Sequence, residues 1–198
     1  MKKTVFFLLV ALCSLQNFAA KKFYPATLIK VDGEKIECLV QEFRSKDKKL
    51  KYKESPKAKL VTVKCAEFTR MIVHFDDGDA IFDYMKYISY NNFIRGKNKV
   101  SKDQQWMQLL ISGTCSLYVF KYAYGDINMY ACQKQDDVPH VVGPKVFHVV
   151  FFDPLPKAIS NYFSDYPELA EKIKENKYPV KDIEEIVNEY NLEKSIKK

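Results

Sequence analysis

Ala26 to Gln41 reads ATLIKVDGEKIECLVQ. Two short runs, Ala26–Val31 and Lys35–Gln41, flank Asp32-Gly33, a dipeptide that lets the chain reverse tightly because Gly takes positive φ without steric penalty. The pattern predicts a β-hairpin, and it recurs along the chain. Asp77-Gly78 joins Arg70–Phe75 to Ala80–Tyr84, and Gly125-Asp126 joins Ser116–Tyr122 to Asn128–Lys134. Lys49–Lys53 and Leu60–Phe68 flank a Ser55-Pro56 turn, Trp106–Ser112 stops at Gly113, and Val146–Phe152 stops at Asp153-Pro154. Regularly spaced strands with turn residues between them predict a predominantly antiparallel sheet, built as a curved sheet, small barrel or sandwich. Gly96–Gln105 and Gln135–Lys145 read as exposed connections.

After Pro154 the apolar period changes from two to about 3.6, which marks a helical segment. Ser164 or Asp165 is placed to cap a helix with Pro167 and Glu168 in its first turn and Leu169 and Ile173 on one face. A second helix follows Pro179, with Ile183, Ile186, Val187 and Tyr190 on one side and Glu184, Glu185, Asn188 and Glu189 on the other. The expected class is therefore α+β, with residues 21–153 as the β domain and 154–198 as a helical cap packed on it.

The first twenty residues have a different character. Lys2 and Lys3 precede an apolar run from Val5 to Leu12 and a polar stretch ending in Ala19 and Ala20, the order of a secretory signal peptide. Cleavage is expected after Ala19 or Ala20. Cys13 offers the alternative of a lipid-anchored chain, although Leu12 stands where a lipobox takes a small residue. The run is shorter than the ~20 apolar residues of a membrane-spanning helix, and no later segment approaches that length, so no transmembrane span is expected after processing. These features predict a secreted or cell-envelope protein of the periplasm, the outer-membrane periphery or the extracellular space.

Loss of Lys2 and Lys3 would take the formal charge from +7 to +5. The excess is mild and falls mostly in Arg44 to Lys59 and the C-terminal tail, unlike the dense basic face of a nucleic-acid binder. Anionic lipids, acidic glycans or an envelope protein are the partners this charge allows. Lys49, Lys51 and Lys53 alternate with Leu50 and Tyr52, placing three ammonium groups on one face of a strand. They are candidates for an anionic contact; the alternative is that they keep a sheet edge from pairing with another chain.

Catalytic signatures are missing from the sequence. There is no Cys-x-x-Cys, no Gly-x-Ser-x-Gly elbow and no His-Glu-x-x-His, and the three histidines, His74, His140 and His148, stand apart. Neither a metal nor a cofactor is predicted, and Asp76, Asp77 and Asp79 read as a turn rather than a calcium loop. Cys38, Cys65, Cys115 and Cys132 would share an oxidising compartment after export. Cys115 and Cys132, on opposite arms of one hairpin, are the candidate disulfide, with buried free thiols the alternative. Phe82, Tyr84, Tyr87, Tyr90 and Phe93 fit a sheet core better than a platform for sugar rings. The expected activity is binding or assembly, and the alternative is a hydrolase of envelope material whose residues meet only in the fold.

Tyr162 to Ile173 (YFSDYPELAEKI) and Lys181 to Asn191 (KDIEEIVNEYN) resemble an uncharacterised family of small exported proteins of Bacteroidetes. Leu110-Ile111-Ser112-Gly113 with Ser116-Leu117-Tyr118 resembles that family's central strand pair, and Val31-Asp32-Gly33 its opening hairpin. The resemblance implies a Gram-negative envelope setting and brings no catalytic residues. Members often carry Cys where this chain has Tyr166, so a family disulfide through that position has no counterpart here.

Overall fold

In the computed structural model, which describes residues 22–91, 97–121, 128–135, 137–144, 159–175 and 183–196, the two Asp-Gly turns join strands in register. Gly33 and Gly78 both adopt positive φ, 89° and 132°. The strands are β1 (Phe23–Lys30), β2 (Lys35–Gln41), β3 (Lys49–Lys53), β4 (Val61–Lys64), β5 (Phe68–Phe75), β6 (Gly78–Met85), β7 (Ile88–Asn91), β8 (Lys97–Val100), β9 (Gln105–Ile111), β10 (Cys115–Lys121), β11 (Asn128–Lys134) and β12 (His140–Pro144). Among the described residues, 159–162 are helical, and α1 (Pro167–Lys174) and α2 (Ile183–Ile196) follow. The strands form one open sheet in the order β4-β3-β2-β1-β5-β6-β9-β10-β11-β12-β7-β8. Pairing is antiparallel throughout, except where β12 meets β7 through His140 and Ile88. This is an α+β fold, mostly antiparallel sheet.

Connectivity forces the first part of the sheet to roll. β4 and β5 stand four places apart in the strand order, about 19 Å if the sheet were flat. They are also offset lengthwise: Val61 lies level with Tyr52 and Val40 at one end of β2, whereas β5 begins beside Lys30 near the other end. Yet Lys64 and Phe68 are joined by a 3-10 turn, Cys65–Glu67, and four residues of chain reach at most about 14 Å. Only a strongly coiled sheet meets both conditions. Trp106 of β9 accordingly reaches across to the β4–β5 turn and donates its indole N–H to Cys65 Sγ at 3.3 Å. Inside the roll Ala26, Leu28, Val40, Leu50, Met71 and Val73 join Trp106 in one buried cluster.

The helical segments cover one face of β10, β11 and β12. Cys115, Leu117, Tyr130 and Cys132 pack with Ile159, Phe163, Leu169, Ile183, Ile186, Val187 and Tyr190. Tyr118, Phe120 and Ala131 belong to a separate cluster with Met107, so β10 and β11 bury both faces. That explains their nearly continuous apolar sequence.

Three expectations need correction. β12 lies in the stretch expected to be an exposed connection, and β8 lies in another. Lys49, Lys51 and Lys53 do not guard an edge, because β3 is hydrogen-bonded on both sides and the edge is β4. Neither Ser164 nor Asp165 caps α1: Tyr166 is the N-cap residue, without a side-chain cap, and Pro167 opens the helix. Asp165 instead accepts hydrogen bonds from Lys134 and Tyr190. The expected leader, the Gly125-Asp126 turn, the expected strand Val146–Phe152 and His148 lie outside the described residues.

Candidate functional site

Alternation on β3 buries Leu50 and Tyr52 in the roll and turns Lys49, Lys51 and Lys53 outward. The three lysines then part company. Lys53 holds its ammonium 4.9 Å from the Phe23 ring centroid, a cation–π contact. Lys49 and Lys51 line a groove of about 260 Å³ with Gln41, Glu42, Phe43 and Asp47. Phe43, one of the lining residues, meets Phe82 and Trp106 edge-on with centroid separations of 5.2 and 6.3 Å. Asp47 closes the loop before β3 by accepting the Arg44 backbone N–H at 2.8 Å.

The segment around the groove is rich in cations, although the groove itself sets Glu42 and Asp47 beside Lys49 and Lys51. From Arg44 to Lys64 there are nine basic and two acidic residues. Lys48 is paired with Asp103 at 2.9 Å, but Lys49 and Lys51 have no carboxylate partner among the described residues. Register places Lys64 of β4 directly opposite Lys49, so the two exposed cations share one face of the sheet. Like charges in that position repel and destabilise the ladder. An anion lying over them would reverse the sign.

The four thiols are free and buried. Cys132 stands opposite Leu117 and Cys115 opposite Lys134, so the two cysteines share a face one diagonal step apart. Burial pushes the Cys132 thiol well above its usual range, and Cys115 beside it adds to the effect. Burial likewise lifts Cys38 to about 12, with Glu37 contributing, and raises Cys65 against the Trp106 hydrogen bond. Register also sets Cys132 opposite His140, the meeting of Cys and His that a hydrolase would need. A fully buried thiol with a raised pKa is the reverse of an activated nucleophile. His140 is instead held between Asp137, 3.2 Å away, and the Tyr162 ring, with centroids 4.9 Å apart.

Comparison of the chain with models of known protein families, with curated proteins and with solved structures gives no match.

One constellation is invisible in the sequence. His74 faces Asp79 across β5 and β6 with Nδ1 and Oδ1 2.7 Å apart, while its Nε2 lies 3.0 Å from Thr27 Oγ1 on β1. Thr27 Oγ1 also lies 2.9 Å from both carboxylate oxygens of Glu37. Hydroxyl, imidazole and carboxylate in that order are the parts of a nucleophile relay. However, Thr27 is only 8% exposed, its proton has Glu37 as a second acceptor, and β1 is paired on both sides. The ladders take up the backbone N–H groups that an oxyanion hole would need. When Thr27 donates to Glu37, all three contacts coexist only if the imidazole donates from both nitrogens. The array acts as a polar tie across four strands.

The aromatic segment mostly serves the core. Tyr84 is buried against Trp106 and Tyr87 packs at a tilt against Phe120. The side chain of Tyr90, and Phe93, lie outside the described residues. No helix among the described residues is long and apolar enough to cross a membrane.

Proposed function

We propose that this chain is an exported protein of a Gram-negative cell envelope that works by binding, and that its working surface is the basic face of β3 and β4. The lysine, apolar and alanine order of residues 1–20 supports export. The observation that carries the binding reading is that Lys49 stands opposite Lys64 and, with Lys51, lines the groove, none of the three forming an ion pair among the described residues. Its ligand is an anionic component of the envelope, whether lipid, glycan or protein. Titration of protein from cells expressing the full chain with phosphatidylglycerol vesicles, dextran sulfate and polyglutamate tests this. At least one should bind, weaken as salt is raised, and lose about tenfold in affinity on combined Lys49→Ala and Lys51→Ala substitution. Binding that ignores both salt and these lysines would contradict the reading.

A hydrolase of envelope material is the second reading; the Thr27–His74–Asp79 array brings together the groups it would need, although the burial of Thr27 and the filled ladders beside it tell against it. It requires turnover of an activated ester that Thr27→Ala abolishes while leaving the circular dichroism spectrum intact. Equal rates in the two proteins would dismiss it.

A further inference from the structure

β4 is one edge of the sheet. Its inner side pairs with β3, and among the described residues no strand pairs with its outer side. In an edge strand alternate residues present their N–H and C=O groups outward, ready to template another strand. The two faces of this edge differ. Val61 and Val63 are half-buried against the rolled core, whereas Thr62 and Lys64 are exposed beside Lys51 and Lys49. Exposed Lys57 and Lys59 lead into the strand. Two copies meeting edge to edge would bring these lysines together, so the charge that opposes self-pairing also selects a partner of opposite sign.

We propose that the β4 edge accepts an extended acidic segment of a partner protein as an added strand. Its backbone continues the ladder from β4. Its carboxylates, at alternate positions, face Lys49, Lys51 and Lys64, and its intervening small apolar side chains extend the layer begun by Val61 and Val63. The inference rests on the basic face being the binding surface and names the class of partner.

The probe is a short synthetic peptide alternating Glu with Val, together with two versions N-methylated at alternate residues, one blocking each edge. The unmodified peptide should bind the full chain and slow hydrogen exchange of outward amides in Val61–Lys64 by about tenfold or more. Exactly one methylated version should fail, because only one edge of the peptide meets β4. Lys64→Glu should weaken binding about tenfold without changing the spectrum of the free protein. Equal binding by both methylated peptides, or binding without protection of β4, overturns the inference. Failure of the peptide while phosphatidylglycerol vesicles or dextran sulfate bind would overturn it and leave the broader reading standing. If no anionic probe binds, both fall.

Discussion

The side-chain amide of Asn191 closes the end of β10 on Cys115: its Oδ1 accepts the Cys115 N–H at 2.7 Å and its Nδ2 donates to the Cys115 carbonyl at 2.9 Å. A helix residue thereby imitates a neighbouring strand, and α2 is pinned to the sheet by hydrogen bonds as well as by apolar contact. Gly113 leaves room for it, since a Cβ there would come within 2.5 Å of Asn191 Nδ2. Asn191→Ala should cost roughly 1–3 kcal/mol, because the part-buried backbone groups of Cys115 lose their partner. Gly113→Ala should destabilise by dislodging the same amide, so its effect should largely vanish in an Asn191→Ala background. Denaturant melts of the two single variants and the double variant measure this coupling, and simple additivity would contradict it.

The apolar stripe of α2 gives a second expectation. Ile186 is buried between helix and sheet, and Glu185 beside it is exposed. Ile186→Ala should cost about 2–5 kcal/mol. Glu185→Ala should stay within about 0.5 kcal/mol. Equal shifts in denaturant melts would mean that the helix does not rely on this packing.

Local chemistry was legible in the sequence, and long-range pairing was not. Asp32-Gly33 and Asp77-Gly78 marked their turns because a tight reversal needs those residues whatever surrounds them. The stripe Ile183, Ile186, Val187 and Tyr190 was readable for the same reason, as period alone reveals an amphipathic face. β12 was missed because a short run containing His140 and Gly143 becomes a strand only when β11 lies beside it. The edge reading of Lys49, Lys51 and Lys53 failed because position in a sheet depends on the order of all its strands. Thr27 meets His74 through the register of β1 with β5, and His74 meets Asp79 through that of β5 with β6, a combination no local spacing encodes. Asp165, read as a cap, is a hub for three distant donors.

Those donors set a pH dependence. Burial works against ionisation of Asp165, but hydrogen bonds from Lys134 at 2.5 Å, Tyr190 at 2.6 Å and Lys194 outweigh it and hold the carboxyl well below the usual range. A carboxyl depressed in the fold stabilises it above the unfolded value of about 3.9, and that contribution fades as pH falls through the folded value. Asp165→Asn should therefore cost roughly 1–2 kcal/mol near neutrality, discounted for its partial exposure. The gap to wild type should narrow from about pH 5 downward. Thermal melts across that range supply the check, and a gap independent of pH would contradict the assignment.

The cysteines can be sorted by position. Diagonal partners in an antiparallel ladder sit about 7–8 Å apart, just beyond the roughly 4.4–6.8 Å between Cα atoms that a disulfide spans. Cys115 and Cys132 can be bridged only by a small closure of the ladder, whereas Cys38 and Cys65 lie in the other core. Peptide mapping after mild oxidation should recover Cys115 linked to Cys132. A link through Cys38 or Cys65 would count against the register.

The proposed working surface, the basic face of β3 and β4, is tested most directly by retention in a cell envelope. Full-length wild-type protein and a Lys49→Glu, Lys51→Glu, Lys64→Glu variant are expressed in a Gram-negative host, and the separated envelope fraction is washed with increasing salt. The wild-type chain is expected to stay with the envelope at low salt and leave it as salt rises, while the variant, equally folded by circular dichroism, is found free from the start. Retention of the variant to the same extent as wild type would contradict the account.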